Sequence, residues 1–226
     1  YYADRVYQIN LAIAGIAVGT VSLPVLSKAF HSKNYSRVTK IQNKSLQLSL
    51  LLSIPASLGL IIASDEIVNG LFGYGSFSPQ DVKMTSDALM FFGYGIVAFA
   101  LIKILSNFYF ARDNTKTPFY ISSFIVFLNL IISLSLFDQV GFLIIPIATS
   151  ISSWVGVLIF LYKLNQNNFL LLKSGLFYDI LKILVSTLIM ITVLIFALEK
   201  FSSYLDYAYI YKSIYLLIIV GFVGII

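Results

Sequence analysis

The stretch VYQINLAIAGIAVGTVSLPVLS, residues Val6–Ser27, runs for 22 residues without a charged side chain. A helix rises 1.5 Å per residue and the hydrocarbon core of a bilayer is about 30 Å thick, so about 20 apolar residues span it. The apolar run is continuous and lacks the alternation of polar and apolar residues that marks a barrel strand. Val6–Ser27 therefore predicts a transmembrane α-helix.

Six further apolar segments follow, separated by loops that carry charged residues. We expect the seven membrane helices at about residues 6–27, 45–64, 88–111, 117–137, 140–162, 180–198 and 208–226. Only 11% of the 226 residues are charged, whereas globular domains carry about 25%. The sequence predicts an all-α fold, a polytopic transmembrane helical bundle of about seven helices, with residues 1–226 forming one domain.

Charged residues between the segments indicate the orientation of the chain. The loops after the first, third and fifth segments hold ten basic and two acidic residues, and the loops on the other side hold three basic and seven acidic residues. Cytoplasmic loops carry an excess of Lys and Arg. We therefore expect residue 1 on the external or periplasmic side and residue 226 on the cytoplasmic side.

The residue types argue against catalysis. The chain has no cysteine, its only histidine is His31, and no pair of acids lies inside a predicted segment. Thiolate and histidine metal sites and paired acids for proton transfer are therefore missing. Basic residues lie between apolar runs and form no separate basic domain. We expect a non-enzyme with no metal and no other cofactor, and no nucleic acid as a partner.

Arg5 follows Asp4 at the external mouth of the first segment. A charge deep in a bilayer costs roughly 2.5–3.5 kcal/mol, so it normally faces a protein interior or a wet cavity. Neighbouring residues on a helix point about 100° apart, so Asp4 does not simply neutralise Arg5. One interpretation is a guanidinium that binds phosphate through a bidentate fork. The other is an interfacial anchor beside an aromatic belt of Tyr1, Tyr2 and Tyr7.

Lys103 is the one charge within the third segment, about 13 Å below the cytoplasmic end at 1.5 Å per residue. Asn107 lies one turn away on the same helix face, so the two residues form a polar stripe suited to a cavity wall. The alternative is that Lys103 snorkels to the cytoplasmic headgroups. Asn129, in the middle of the fourth segment, predicts an interhelical hydrogen bond.

Small residues and prolines mark sites of helix packing and bending. Gly15 and Gly19 form a GxxxG pattern, which lets a second helix approach closely. Pro24, Pro55 and Pro146 fall inside predicted segments, where a proline removes a backbone hydrogen bond. We expect helix packing at the glycines and helix kinks at the prolines.

Five motifs occur in order over the first 118 residues. They are Tyr2–Arg5 (YADR), Gly15–Thr20 (GIAVGT), Leu23–Ser27 (LPVLS), Leu71–Phe77 (LFGYGSF) and Phe108–Pro118 (FYFARDNTKTP). Together they resemble the motifs of the MurJ/MviN family of lipid II flippases, which belongs to the MOP exporter superfamily. Beyond Pro118 the resemblance rests on hydropathy and on the spacing of the segments.

The resemblance implies a fold of fourteen transmembrane helices, of which this chain would supply the eighth to the fourteenth. It implies transport of lipid II, the undecaprenyl-diphosphate-linked peptidoglycan precursor, from the inner to the outer leaflet of the bacterial cytoplasmic (inner) membrane by alternating access. It implies a cationic substrate cavity that contains Asp4 and Arg5 of the YADR motif and, by a looser match, Lys103. The implied partners are lipid II, membrane lipids and the N-terminal half of the same chain.

Four other functions are compatible with the topology. A polysaccharide-lipid flippase or a multidrug exporter of the same superfamily would have the same helices, but should lack the combination of YADR, LPVLS and DNTKTP motifs. A membrane-embedded glycosyltransferase or acyltransferase would need a catalytic acid or histidine from outside this chain. A membrane scaffold that transports nothing would tolerate the loss of both Arg5 and Lys103.

Overall fold

The computed structural model describes residues 1–172, 174–201, 205 and 211–225, and every regular element in these ranges is a helix. The α-helices are α1 (Tyr2–Leu11), α2 (Val18–His31), α3 (Tyr35–Ile62), α4 (Ser64–Phe72), α5 (Pro79–Phe110), α6 (Lys116–Val140), α7 (Ile144–Gln166), α8 (Ser174–Phe201) and α9 (Lys212–Ile225). A π-helical segment, Ala12–Ala17, joins α1 to α2, and a 3-10 turn, Gly141–Leu143, joins α6 to α7. The predicted all-α helical bundle is confirmed.

Five helical stretches of the described residues are long and apolar enough to cross a membrane. They are Tyr2–His31, Tyr35–Ile62, Pro79–Phe110, Lys116–Gln166 and Gly175–Phe201, and the fourth contains both α6 and α7. The observed helices extend past the predicted apolar segments, because helical hydrogen bonding continues into charged ends beyond the hydrocarbon. The loop charges Lys173 and Asp206, and residues 208–210 and 226 of the last predicted segment, lie outside the described residues.

Helix α5 is the centre of the described bundle. It packs against α1, α2, α3, α4 and α7. Glycine permits the close approach to α3, since a Cβ on Gly93 would lie 2.8 Å from Ile61 Cγ1. The Ser57 hydroxyl of α3 also donates to the Gly93 carbonyl at 2.7 Å. Ser78 and Asp81 form a capping box at the start of α5, with Pro79 as its first helical residue.

Helices α6 and α7 form an antiparallel hairpin at the edge of the bundle. Gly141 ends α6 with a φ of +70°, a conformation that glycine adopts without a Cβ clash. Asn129 Nδ2 donates to Thr149 Oγ1 at 2.9 Å, which is the interhelical hydrogen bond predicted for Asn129. Pro146 does not kink a helix, contrary to the prediction, because it is the third residue of α7. In the first turn the missing N–H removes no intrahelical bond.

A half-buried arginine after α5, Arg112, connects the helix ends on one side of the described bundle. The Arg112 guanidinium lies 5.0 Å from the ring centroid of Phe30 and 4.5 Å from that of Phe169. It donates to the carbonyl oxygens of Phe108 and, at 3.2 Å, Phe169, and burial lowers the pKa of Arg112. Gln42 of α3 also donates to the Phe169 carbonyl, at 2.8 Å. The segment after α7 is therefore held across the ends of α2, α3 and α5.

A buried lysine connects helix ends on the opposite side of the described bundle. Lys212, at the start of α9, is fully buried and donates to Asn69 Oδ1 of α4 at 2.9 Å and to the Gly73 carbonyl. Its ammonium lies 4.4 Å from the Tyr74 ring centroid. On the same short helix α4, burial raises the pKa of the Glu66 carboxyl. The connection between α3 and α5 is therefore joined to α9.

Candidate functional site

Arg5 is exposed and lies on α1, one turn from the start of the helix. Its Nη1 donates to Gln8 Oε1 at 3.4 Å, and its guanidinium lies 5.0 Å from the Tyr1 ring centroid. Gln8 Nε2 in turn donates to Asp4 Oδ2 at 2.6 Å, so Gln8 connects the two charged side chains. No ion pair joins Arg5 to a carboxylate of the described residues.

The opposite side of α1 packs against α5. Ala3 and Val6 are buried in a cluster with Leu89 and Ile96 of α5. Tyr7 stacks on Phe92 of the same helix, with ring centroids 4.5 Å apart. The side chain of Arg5 therefore points away from the described bundle.

The uncovered side of the first helix continues below Arg5. We call it the open face and define it by Arg5, Ile9, Ile13 and Ile16, all of which are exposed. Ile9 is 62% exposed and lies one turn from Arg5. None of the described helices covers this face.

Lys103 and Asn107 line one groove, between α2, α5 and α6. The groove has a volume of about 570 Å³, and its other polar side chains include Thr20, Ser106 and Ser122. Lys103 is exposed to it and forms no ion pair with the described residues. Sequence analysis predicted this polar stripe from the spacing of Lys103 and Asn107.

Asn107 and the two glycines bring the first helix close to α5. The Asn107 side chain is 9% exposed, and its Nδ2 donates to the Gly19 carbonyl at 2.8 Å. A Cβ on Gly15 would lie 3.2 Å from the Cα of Ala100, and one on Gly19 would lie 3.1 Å from Asn107 Nδ2. Asn107 therefore serves as a brace between the helices as well as a part of the groove wall.

Arg5 and Lys103 do not share a pocket. Ala100 lies against Gly15 and Asn107 against Gly19, so Lys103 is level with about residue 17 of the first helix. That level is about 18 Å from Arg5 along the axis, at 1.5 Å per residue. The structure thus places the two cations at different levels along the first helix.

Two pockets contain residues that sequence analysis did not assign to a site. A groove of about 920 Å³ between α2, α3 and α8 has Arg37, Lys40 and Lys44 at one end. Their spacing of three and four residues in the sequence already places these side chains on one helix face, but they served above only to predict the orientation of the chain.

A second pocket, of about 560 Å³, contains Asp4 and Asp81 and lies where α1 and α5 begin.

Kinks at Pro24 and Pro55 stay predictions, although both prolines lie inside helices, α2 and α3.

In the described part of the chain no group of three or more His, Cys, Asp or Glu side chains could hold a metal ion. His31, the last residue of α2, lies beside Asp113, with 3.6 Å between Nε2 and Oδ2.

Comparison with known proteins identifies the family. The family model described as "Lipid II flippase MurJ" matches residues 1–216. A "Probable lipid II flippase MurJ" of Rickettsia prowazekii is 38% identical over 224 residues, which are 99% of this chain and 43% of that protein. A protein of the same description from Rhizobium meliloti is 37% identical over 158 residues, which are 70% of this chain and 30% of that protein.

The fold agrees with a solved structure. "Lipid II flippase MurJ, inward closed conformation" superposes with a TM-score of 0.78 at 28% identity, over 99% of this chain and 44% of that chain. This chain therefore spans less than half the length of the relatives that it matches. The apolar helices and these similarities show a multi-pass membrane protein, and the chain belongs to the MurJ family of lipid II flippases.

Proposed function

We propose that this chain forms the C-terminal half of a lipid II flippase of the bacterial cytoplasmic membrane. The observation that carries the proposal is the placement of Arg5 on the open face, without a carboxylate partner among the described residues. The N-terminal half of the protein would cover this face and enclose a cavity. Arg5 would then point into water between the two halves, as a charge at that depth requires.

The transported lipid explains why a cation is needed there. Lipid II carries a diphosphate and a bulky polar headgroup, whose passage through bare hydrocarbon would leave its charges without hydrogen-bond partners. A guanidinium offers a planar fork of N–H donors that matches two phosphate oxygens. Gln8 already orients the guanidinium through its Oε1. Part of the conformational entropy of the Arg5 side chain is therefore lost before the lipid binds, which reduces the entropy cost of binding.

Lys103 would act deeper in the same cavity. Its groove combines an ammonium, an amide and hydroxyl groups, which are groups that bind phosphate and sugar hydroxyls. With Arg5 about 18 Å further towards the external side, the diphosphate would meet two cations in succession as access changes from one side to the other. Asp4, held by Gln8, would keep the local field around Arg5 from becoming strongly positive.

Removal of the Arg5 charge tests the proposal. We expect Arg5→Ala, in cells that depend on the full-length variant, to lower the amount of lipid II in the outer leaflet by about tenfold or more, because a charge-assisted hydrogen bond contributes about 1.5–3 kcal/mol. Arg5→Lys keeps the charge but loses the planar fork of N–H donors. Its level of outer-leaflet lipid II should therefore lie between those of the parent protein and of Arg5→Ala. Arg37→Ala, an exposed arginine at the start of α3, is the matched control and should transport normally.

Membrane abundance is measured in parallel by immunoblot, so that loss of protein is separated from loss of transport. Normal outer-leaflet lipid II with Arg5→Ala would contradict the proposal. Transport of a different lipid-linked sugar, with lipid II unmoved by the parent protein, would favour the polysaccharide-lipid flippase.

A further inference from the structure

The first membrane helix is interrupted by the π-helical segment Ala12–Ala17, between α1 and α2. A π turn has i→i+5 hydrogen bonds and so accommodates one more residue than an α turn, and such turns are frequent at functional sites. Relative to an unbroken α-helix of the same sequence, the π turn therefore rotates the side chains on one side of it by about 100°.

The buried residues of the lower half of the helix give the reference direction. Gly15 and the buried residues of α2 lie at positions 15, 19, 22, 26 and 29, with spacings of four and three residues. Gly15 and Gly19 of this series contact α5. An unbroken α-helix would continue the same series upwards to Leu11, Gln8 and Asp4.

The observed upper half is displaced from that series by one residue. Ala3 is buried in place of Asp4, and Tyr7 stacks on Phe92 and Phe99 in place of Gln8. Ala14 is buried as well, and it continues the series of the upper half, about three α-helical turns from Ala3. The displacement equals the one extra residue of the π turn. The π turn therefore accounts for the side of α1 that meets α5.

The polar residues gain most from this rotation. Without it, Asp4 and Gln8 would face the apolar cluster that contains Leu89 and Ile96, where an unpaired carboxylate is costly. With it, Gln8 and Asp4 hydrogen-bond at the flank of the helix, and Arg5 points about 180° away from the α5 contact.

We infer that the π turn is a positioning device for Arg5: it takes up one extra residue of the chain, so that the Asp4–Arg5–Gln8 cluster lies on the open face. The inference rests on the proposed function for the purpose of that placement. Its geometric part stands on the burial pattern alone. The lower half cannot rotate instead, because the Asn107 hydrogen bond and the Gly15 contact fix it to α5.

Insertion of a second alanine after Ala12 tests the geometry. The π turn takes up one extra residue and not two, so α1 should rotate by about 100° relative to α2. Val6 would then take the direction that Arg5 has in the parent, and Gln8 would take that of Tyr7. This chain has no cysteine of its own, so a nitroxide attached at Val6→Cys or Gln8→Cys of the purified full-length protein, with any other cysteine replaced, reports each position.

In the parent we expect an immobilised nitroxide at position 6 and a mobile one at position 8, and in the insertion variant the reverse. Nitroxide mobility distinguishes a buried from an uncovered position whether water or lipid lies outside, so it does not depend on the proposed function. Outer-leaflet lipid II in cells should fall with the insertion to the level of Arg5→Ala.

Deletion of Ala12 is the opposite variant. It removes the extra residue, and a continuous α-helix then brings Ala3 and Tyr7 to α5, as the π turn does in the parent. Arg5 keeps its parental direction, so the nitroxide pattern and transport should both be retained. If the insertion variant does not accumulate in the membrane, the deletion variant decides the question by itself.

Two results would overturn the inference. One is an unchanged nitroxide pattern after the insertion, with transport intact. The other is a deletion variant that has the parental nitroxide pattern but is inactive, since the π turn would then matter for something other than the direction of Arg5. An inverted nitroxide pattern after the insertion, with a parent protein that moves no lipid II, would leave the geometry standing and would refute the proposed function.

Discussion

Helices α5 and α6 are consecutive and both consist mainly of apolar residues, yet they have opposite places in the described bundle. α5 has fifteen buried residues over Pro79–Phe110, and α6 has two, Pro118 and Ile121, over Lys116–Val140. Hydropathy therefore indicates that both cross a membrane, but not which of them lies at the centre. Small and polar residues make that distinction.

The side chains of the two helices explain the difference. α5 has Gly93 and Gly95 where neighbouring helices approach, and Asn107 where the first helix needs a hydrogen bond. Its neighbour α6 has no glycine and presents bulky side chains outwards, such as Phe127 at 62% and Leu134 at 75% exposure. Helices in membranes associate through close packing and hydrogen bonds rather than apolar attraction, so small residues mark the centre.

The largest effect is expected from filling the contact between α5 and α3. Gly93→Leu should destabilise the protein by about 1–3 kcal/mol or more, because even a Cβ would lie 2.8 Å from Ile61 Cγ1. Ser123→Leu, on an exposed position of α6, is the control and should change stability by less than about 0.5 kcal/mol. Unfolding of the purified proteins in detergent measures both, and equal effects would remove the distinction between the helices.

The next effect is expected from the polar brace of α5. Asn107→Leu removes a buried donor from the Gly19 carbonyl and should cost about 1–2 kcal/mol. The same unfolding assay measures the change. A neutral result would mean that the Gly15 and Gly19 contacts alone hold the first helix.

A smaller effect is expected from the corresponding change in α6. Asn129→Leu breaks the bond to Thr149, and such interhelical bonds contribute about 0.6 kcal/mol on average. Asn129 is only half-buried, so the freed Thr149 hydroxyl can still donate to the Ile145 carbonyl, as it already does at 2.7 Å. A loss larger than that of Asn107→Leu would contradict the central place of α5.

The smallest effect on stability is expected at Lys103, which lines the groove between α2, α5 and α6. Lys103→Ala should change the free energy of unfolding by less than about 0.5 kcal/mol, because Lys103 is exposed and forms no ion pair with the described residues. Transport should nevertheless fall, since the groove loses the Lys103 ammonium. Unchanged transport would restrict the proposed cavity to the region of Arg5.

The sequence predicted the all-α membrane bundle and the polar stripe of Lys103 and Asn107, because both follow from local spacing. It did not predict the π turn, since the residues around Ala12–Ala17 are apolar on every side and a rotation of the helix leaves no trace in hydropathy. The π turn is recognisable because Ala3, Val6 and Tyr7 do not fall on the same α-helical series as Gly15. That comparison requires knowing which residues face α5, which the sequence alone does not show.

The prediction at Pro146 failed for a different reason. A proline within an apolar run is compatible with a kinked helix and with the first turn of a new one, and the positive φ of Gly141 decides for the second. The fastening of the two ends by Arg112 and Lys212 was also missed, because the carbonyl groups that they bind come from distant parts of the chain.

The central claim is that the open face of the first helix meets the lipid diphosphate. Its most direct test places a photo-reactive amino acid at Ile9, one turn from Arg5, in the purified full-length protein with lipid II. The account predicts a crosslink to lipid II at position 9 that Arg5→Ala abolishes, and none at Leu134 on the outer side of α6. A crosslink at both positions, or one at position 9 that persists without Arg5, would contradict it.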